Sequence, residues 1–234
     1  MEHFAKDISV VFPAYNEEEN IEICIIIARA VLKELVNNFE IIIVDDGSTD
    51  NTGKISQQLE QRFPEVRVIS KVQNEGYGFA LRDGFKASKF DFVFFSDSDR
   101  QFDIVNLKDL LPWVDEYDIV VGFRKNRQDS IKRKILSLGY NMLVSLIFDL
   151  NIRDIDCAFK IFRKSIFERI DINSNRFFVN TEILAKARKL GCSVKEVGVT
   201  HFPRLEGSSK VGFKDIHWTL KEMKRIYGYI KKLK

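Results

Sequence analysis

Two aspartates one residue apart, Asp97 and Asp99, follow an apolar run that ends at Ser96. An extended run that ends in Asp-x-Asp places its acids at the carboxyl edge of a sheet, where open α/β sheets bind ligands. Acids held this close repel and raise each other's pKa unless a positive charge lies between them. Mg²⁺ relieves this repulsion, and it binds one or two carboxylates together with substrate phosphates. The pair therefore predicts a metal site for phosphates, although a solvated turn of Asp and Ser is the alternative.

Two other predicted strands also end in acidic turns, Pro13–Glu17 and Asp45–Asp50. Because parallel strands end at the same edge of a sheet, we expect the three turns to face one crevice. Structural roles remain open for single residues: Asp50 could cap a helix, and Gly47 could supply a positive φ. The segment Gly76-Tyr77-Gly78 could admit a close backbone approach to a ligand or simply begin a helix.

The elements that must position these turns alternate along the first half of the chain. Short runs rich in Ile, Val and Phe predict strands at Ile8–Phe12, Glu40–Val44, Val66–Ser70, Phe90–Ser96 and Asp118–Gly122. Helical patterns lie between them, at Glu18–Val36, Asn51–Arg62, Tyr77–Ser88 and Ile104–Val114. This alternation predicts an α/β fold with a mostly parallel, Rossmann-like sheet and helices on both faces.

The second half of the chain is less regular. It predicts a helix, a strand, a helix and a strand, at Ile131–Phe148, Ala158–Phe162, Asn180–Leu190 and Val194–Thr200, and a final helix over 213–234. No repeat or flexible linker separates the halves, so we expect one domain over residues 1–234.

Composition narrows the class of protein. The 234 residues are 45% hydrophobic and 30% charged, which is typical of a soluble globular chain. A net charge of only +3 argues against nucleic acid as the partner. Three scattered cysteines argue against a disulfide framework and for a reducing compartment. With no signal peptide or membrane-spanning run in the sequence, we expect a soluble or peripheral cytoplasmic protein, and a membrane segment in a longer parent chain stays open.

These turns, in their order and spacing, resemble the motifs of family 2 glycosyltransferases, which have the GT-A fold. The resemblance extends over essentially the whole chain and implies a nucleotide-sugar donor of the GDP-mannose or UDP-glucose type, with Mg²⁺ or Mn²⁺ as cofactor. It assigns residues 1–122 to the nucleotide sugar and 123–212 to the acceptor. The substrate-binding residues that it implies in the first half are Pro13, Tyr15, Glu17, Asp45, Asp46, Gly76, Asp97 and Ser98.

The segment Asp97-Ser98-Asp99-Arg100-Gln101 resembles the Asp-x-Asp-x-Gln of the polyprenyl-phosphate branch, which includes dolichol-phosphate mannose synthase. The resemblance implies that Gln101 joins Asp97 and Asp99 at the metal. Other matches to this branch are Gly122-Phe123-Arg124, the set Arg133, Ser137 and Asn141, Asp154–Lys160, the pair Phe177 and Glu182, and Arg204–Lys210. Ala158 departs from the usual glycine.

A set of basic and hydroxyl residues in the second half fits a phosphate acceptor. The guanidinium fork of arginine matches phosphate oxygens, although any single arginine could equally be a solvated surface residue. The predicted set is Arg124, Arg133, Ser137, Arg204 and Lys210, with Arg124 also grouped with Asp97 and Asp99 as catalytic.

The expected reaction moves a hexose to polyprenyl phosphate, with inversion as the family implies. A phosphate acceptor is already anionic and needs no strong base, whereas a hydroxyl acceptor needs a nearby carboxylate, for which Asp154 and Asp156 are the candidates. A glycan or other hydroxyl acceptor is the alternative, and a non-catalytic nucleotide-sugar-binding protein is an alternative of another class.

The C-terminal segment combines an apolar face with many cations. Ile216, Leu220, Met223, Tyr227 and Ile230 are spaced for one face of a helix, and the rest carries Lys221, Lys224, Arg225, Lys231 and Lys232. Such a helix can lie on an anionic bilayer or pack against the protein. We expect attachment at the cytoplasmic face of a membrane, with a membrane-anchoring partner as a further possibility.

Overall fold

The structure is a computed structural model that describes residues 3–125, 131–203 and 214–231. Within these residues, seven strands form one sheet in the order β3-β2-β1-β4-β6-β5-β7. The strands are β1 (Phe4–Ala14), β2 (Val36–Asp45), β3 (Val66–Ser70), β4 (Phe92–Ser96), β5 (Ile119–Lys125), β6 (Phe159–Arg163) and β7 (Val194–Thr200). The helices are α1 (Ile21–Leu35), α2 (Thr52–Arg62), α3 (Tyr77–Ala87), α4 (Leu107–Leu110), α5 (Ile131–Phe148), α6 (Ile166–Arg169), α7 (Val179–Lys189) and α8 (Lys214–Ile230).

The sheet is mostly parallel, which confirms the predicted fold class. Strand β6 is the exception, since it runs antiparallel between β4 and β5. The spacing of apolar residues carries no information on strand direction, so the sequence did not distinguish β6 from its neighbours.

Hydrophobic cores cover both faces of the sheet, as predicted. Alternate residues of β1 point to opposite sides, so Val11 joins the core formed with α3, α5, α7 and α8. Val10 and Phe12 join the core formed with α1, α2 and α4. Strand β4 is buried along its whole length, so its carboxyl end, and the acids that follow it, are fixed in place by packing on both sides.

The helix predicted over Ile104–Val114 is replaced by short turns. A 3₁₀ turn over Ile104–Asn106 leads into α4, and a second 3₁₀ turn covers Leu111–Trp113. Pro112 lacks a backbone N–H group and interrupts the hydrogen-bond ladder of a longer helix. The carboxylate of Asp103 accepts a hydrogen bond from the backbone N–H of Val105 at 3.1 Å and caps the first turn.

The predicted apolar face of the C-terminal helix α8 is divided between the core and the surface. Met223, together with Ile226, is buried, whereas Leu220 and Tyr227 remain exposed. Contact of the exposed residues with a bilayer stays a prediction. Among the described helices, none has the length and apolar character needed to cross a membrane.

Close packing of α3 on the sheet gives a test of the fold. A Cβ atom on Gly84 would lie 2.4 Å from Cγ1 of the buried Val11, so we expect Gly84→Ala to lower the free energy of unfolding by about 1–3 kcal/mol. The control is Gly139→Ala in α5, where a Cβ would meet no atom within 4 Å. That change should raise stability by up to about 1 kcal/mol. Urea titration measures the free energy of unfolding of both variants. Equal effects of the two substitutions would contradict the close packing of Gly84 on Val11.

Candidate active site

The turns after β1, β2 and β4 are hydrogen-bonded to one another at one edge of the sheet. The backbone N–H of Asp46 donates to the carbonyl of Ala14 at 2.9 Å. The hydroxyl of Ser98 donates to the carbonyl of Pro13 at 2.9 Å. The sequence prediction placed these three turns at one crevice, and the structure brings them together there.

The acidic pair lies in a constrained turn. Asp99 is buried, and its Oδ1 accepts a hydrogen bond from the backbone N–H of Gln101 at 3.1 Å. Arg100, which lies between Asp99 and Gln101, adopts a φ of 61°, in the left-handed region that non-glycine residues seldom occupy. Surrounding structure must hold such a residue in place, and strain of this kind clusters at ligand sites.

Asp97 has a strongly raised pKa. The hydroxyl of Tyr77, the first residue of α3, donates to Oδ1 of Asp97 at 2.9 Å. Burial and the neighbouring charge of Asp99 raise the pKa of Asp97 to about 7, against the opposing effects of the Tyr77 hydrogen bond and the charge of Lys160. Burial and repulsion by Asp99 therefore keep Asp97 protonated to a higher pH than an ordinary aspartate.

Lys160 supplies a buried cation behind the acids. It lies in β6 with no exposed surface, and its Nζ donates to the Asn180 side chain at 2.9 Å and to the Cys157 carbonyl. Burial lowers the pKa of Lys160, and the charges of nearby acids, Asp97 among them, oppose that shift. Sequence reasoning assigned no role to Lys160 or Tyr77. The available signal was a lysine inside the apolar strand β6, since buried lysines are rare unless paired.

The donor set at this turn fits a hard divalent cation. Asp97 and Asp99 supply carboxylate oxygens, and Mg²⁺ needs no more protein carboxylates than this when phosphates and water complete its shell. The side-chain amide of Gln101, the third predicted ligand, donates to the carbonyl of Phe202 at 3.3 Å. Among the described residues, no group of three or more His, Cys, Asp or Glu side chains forms a metal cage.

Asp46 anchors the loop before α3. Its carboxylate accepts hydrogen bonds from the backbone N–H groups of Glu75 at 3.1 Å and Gly76 at 2.8 Å, and Lys71 Nζ lies 3.5 Å away. Asp45 accepts from the backbone N–H of Ser48 at 3.0 Å. Both acids are buried, and their implied contacts with the nucleotide sugar stay predictions.

Glycines at the start of α3 permit a close backbone contact with the segment before α7. Gly76 has a φ of 105°, and a Cβ there would lie 2.1 Å from the carbonyl oxygen of Asn175. A Cβ on Gly78 would lie 2.0 Å from the carbonyl oxygen of Ser174. This packing accounts for both glycines and favours the structural reading of the segment. It also fixes the start of α3, and with it the hydroxyl of Tyr77.

Glu182, matched to an acidic motif in the sequence, is a structural residue. It is fully buried and accepts hydrogen bonds from the backbone N–H groups of Asn173 and Ser174 and from Lys186 Nζ, the last at 2.6 Å. The acid therefore supports the segment that packs on Gly76 and Gly78.

The turn after β1 carries the remaining predicted residues of the donor half. Glu17 is buried, its backbone N–H donates to Thr52 Oγ1 at 2.8 Å, and its side chain accepts from Asn20 at 3.0 Å. Pro13 is buried and Tyr15 is partly buried. Asp50 accepts from the backbone N–H of Thr52 at 2.9 Å, at the start of α2, which favours its predicted capping role.

Arg124, at the end of β5, forms a bidentate ion pair with Asp154. Both nitrogen–oxygen distances are 2.7 Å, and both side chains are largely buried. The guanidinium is therefore held in one orientation, and Asp154 is engaged as its counter-ion. This engagement weighs against Asp154 as the base that a hydroxyl acceptor would require.

The structure describes only some of the other predicted acceptor residues. Ser137 lies in α5, one turn after Arg133, whose side chain is outside the described part. Arg204 and Lys210 lie outside the described residues. Their predicted contacts with phosphate stay predictions.

The fold and the acidic edge define a GT-A glycosyltransferase. The structure of glucosyl-3-phosphoglycerate synthase from Mycobacterium tuberculosis, in complex with Mn²⁺, UDP and phosphoglyceric acid, superposes with a TM-score of 0.74. The match covers 98% of this chain and 80% of that chain at 19% identity, so it bears on the fold alone. Residues 9–171 match glycosyl transferase family 2, and the chain belongs to this family.

Two of three similar proteins are named for polyprenyl phosphates, the branch that the sequence motifs resemble. The glycosyltransferase AglD of Haloferax volcanii is 33% identical over 215 residues, 88% of this chain but only 34% of that protein. Human dolichyl-phosphate beta-glucosyltransferase is 31% identical over 230 residues, 89% of this chain and 71% of that protein. The undecaprenyl-phosphate 4-deoxy-4-formamido-L-arabinose transferase of Photorhabdus laumondii is 32% identical over 212 residues, which are 89% of this chain and 64% of that protein.

The raised pKa of Asp97 predicts how stability changes with pH in metal-free buffer. The folded chain keeps this proton between the ordinary value of 3.8 and about 7, whereas the unfolded chain loses it, so wild-type stability falls across that interval. Asp97→Asn removes this loss. We expect the variant to gain on the order of 2 kcal/mol relative to wild type between pH 4 and pH 8.

Thermal unfolding across this pH range measures the difference. Asp115→Asn is the control, because Asp115 is exposed and its carboxylate pairs with Lys6 at the surface. The difference in unfolding free energy between this variant and wild type should not change with pH. If the stability difference between Asp97→Asn and wild type also did not change with pH, the raised pKa of Asp97 would be contradicted.

Proposed function

We propose that this chain transfers a hexose from a nucleotide sugar to a polyprenyl phosphate, such as a dolichyl or undecaprenyl phosphate, with Mg²⁺ or Mn²⁺. The observation that carries the proposal is the Asp97–Asp99 pair, held by a buried strand at the ligand-binding edge of a GT-A sheet. The names of the relatives, which include dolichyl-phosphate and undecaprenyl-phosphate transferases, support the acceptor class. The donor is of the GDP-mannose or UDP-glucose type.

On the donor side, Asp97 and Asp99 would hold the cation, with Gln101 beside them. When bound, the cation neutralises the nucleoside diphosphate and so makes it a better leaving group. Tyr77 orients Asp97 through its hydrogen bond. Asp46 fixes the loop that leads to Tyr77, so the turns after β2 and β4 keep a constant geometry. This preorganisation limits the rearrangement needed during the reaction.

On the acceptor side, the main obstacle is repulsion between two phosphate groups. Arg124, oriented by Asp154, presents a fixed cation close to this edge. Arg133 and Ser137 on α5 and the basic segment Arg204–Lys210 complete the proposed phosphate site. An anionic acceptor attacks the anomeric carbon without a strong base, in a single displacement that inverts its configuration.

The acceptor class also bears on location. A polyprenyl phosphate resides in a membrane, so we place the chain at the cytoplasmic face, either as a peripheral protein or held there by an anchoring partner. The odd and scattered cysteines, which are unpaired in the structure (Cys24, Cys157 and Cys192), are compatible with a reducing compartment.

A direct assay tests the proposed reaction. The purified chain is incubated with Mg²⁺ or Mn²⁺, a polyprenyl phosphate and a panel of nucleotide sugars, and the lipid-linked sugar is measured. Asp99→Asn should lower turnover by about a hundredfold or more, because the leaving diphosphate loses its charge compensation. Asp115→Asn at the surface is the matched control and should retain full turnover.

Each alternative gives a distinct result in this assay. Transfer to a free sugar or glycan but to no polyprenyl phosphate would indicate a hydroxyl acceptor. Binding of a nucleotide sugar without transfer to any acceptor would indicate a non-catalytic protein. Unchanged turnover in Asp99→Asn would show that the acidic pair does not hold the metal.

Arg124 gives a separate test of the acceptor site. Arg124→Lys keeps one positive charge but loses the planar fork, so we expect KM for the polyprenyl phosphate to rise about tenfold. KM for the nucleotide sugar should change little. Steady-state kinetics with each substrate varied in turn separates the two constants, and an equal rise in both would argue against an acceptor-side role.

A further inference from the structure

A short segment between α6 and α7, residues Asn173–Phe177 and termed here the bridging segment, contacts both α3 and α8. On the α3 side, the backbone N–H of Gly78 donates to the carbonyl of Asn175 at 3.0 Å. The approach is as close as glycine allows, since a Cβ on Gly76 or Gly78 would collide with this segment. The bridging segment therefore fixes the start of α3, where Tyr77 lies.

Tyr77 connects this packing to the proposed cation site. Its hydroxyl donates to Oδ1 of Asp97 at 2.9 Å. Because the ring is rigid and belongs to the first residue of α3, a shift of the helix start moves the hydroxyl with it. Metal ligands depend on outer partners of this kind for their orientation, and loss of such a partner lowers metal affinity. Tyr77 therefore transmits the position of the bridging segment to Asp97.

Helix α8 holds the other side of the bridging segment through polar contacts. The hydroxyl of Ser174 donates to Oε2 of Glu222 at 3.3 Å. The guanidinium of Arg225 donates to the carbonyl of Asn173 at 3.1 Å and to the same Glu222 oxygen at 2.5 Å. One ion pair of α8 thus contacts two consecutive residues of the segment, directly before the residue that bonds to α3.

Aromatic packing of α8 extends this contact to the far end of the bridging segment. The ring of Trp218 lies 6.1 Å from that of Phe177, and the Arg176 guanidinium lies 5.0 Å from the Trp218 ring. Arg176 also borders the start of α3, since a Cβ on Gly78 would lie 3.1 Å from its carbonyl oxygen. The bridging segment is therefore held between α3 and α8 from Asn173 to Phe177.

Helix α7 and helix α8 support the bridging segment in different ways. Glu182 of α7 is fully buried and accepts the backbone N–H groups of Asn173 and Ser174. The side chain of Arg225 is 40% exposed, and that of its partner Glu222 is 12% exposed. An ion pair with an exposed arginine adds little to the stability of a fold. Its effect on the position of the segment can therefore be measured on a folded chain.

We propose that Arg225 and Glu222 are positioning residues for the cation at Asp97 and act on it through the bridging segment and Tyr77. The ion pair sets the segment, the segment sets the start of α3, and the Tyr77 hydroxyl sets Oδ1 of Asp97. The C-terminal helix thereby becomes a determinant of cation affinity. The proposal rests on the proposed function only in taking Asp97 as a ligand of the cation.

Calorimetric titration with Mn²⁺, in the presence of UDP and separately of GDP, measures the cation affinity of the whole chain. We expect Tyr77→Phe to weaken this affinity about tenfold, and Arg225→Ala to weaken it about threefold to tenfold. Arg225→Lys keeps a donor and a positive charge next to Glu222, so it should recover most of the loss. Glu222→Gln removes the charge of the other partner and should weaken the affinity in the same direction as Arg225→Ala.

The matched control is Arg188→Ala. Like Arg225, Arg188 bonds a carboxylate and a backbone carbonyl, but both belong to Asp149, which follows α5. Its affinity for Mn²⁺ should stay within about twofold of wild type. Thermal unfolding checks that every variant is folded.

A double-mutant cycle distinguishes action through Tyr77 from a general loosening of the fold. If Arg225 acts through Tyr77, Arg225→Ala should change the affinity by less than about twofold once Tyr77→Phe is present. Independent losses that multiply in the double variant would overturn the proposal. So would wild-type affinity in Arg225→Ala, or an equal loss in Arg188→Ala.

Transfer measurements separate this proposal from the proposed function. If wild type binds Mn²⁺ with a nucleoside diphosphate but forms no lipid-linked sugar, the proposed acceptor is wrong and the cycle still decides the role of α8. If wild type forms the lipid-linked sugar and the cycle shows no coupling, only the role of α8 is wrong. If wild type binds no Mn²⁺ with either nucleotide, the cation site and this proposal both fail.

Discussion

Electrostatic repulsion between Asp97 and Asp99 is the constraint on which the rest of the site depends. The fold holds both acids at the end of a strand buried on both faces, so they cannot separate. The left-handed backbone of Arg100 and the hydroxyl of Tyr77 fix the turn further. Burial raises the pKa of Asp97 most and the charge of Asp99 raises it further, and the buried Lys160 offsets only part of this rise. A site with this unbalanced negative charge is suited to a divalent cation.

Charged side chains are arranged differently in the two proposed halves of the site. On the donor side the acids lie close to one another, with Lys160 behind them. On the proposed acceptor side, Arg124 forms a bidentate ion pair with Asp154. This pair fixes the direction of the guanidinium and engages two of its five N–H donors. Because Asp154 is engaged in this pair, it is less suited to deprotonate a hydroxyl group, which favours the proposed phosphate acceptor.

The sequence predicted most of the sheet and the acidic edge, because apolar runs and turn residues are local signals. Strand β4 and the turn of Asp97 and Asp99 are examples. The antiparallel direction of β6 depends on the path of the chain and was not predicted. The roles of Tyr77 and Lys160 depend on contacts between distant elements, as does the Arg124–Asp154 pair. The burial of Ile226 in α8 likewise depends on tertiary packing and was not predicted.

Calorimetric titration of Mn²⁺ in the presence of a nucleoside diphosphate tests the central claim most directly. Because protonation of Asp97 competes with the cation, wild-type affinity should rise between pH 6 and pH 8, with proton release on binding. In Asp97→Asn the affinity should fall sharply and lose this dependence on pH. Equal affinity in wild type and variant, unchanged across the same pH range, would contradict the account.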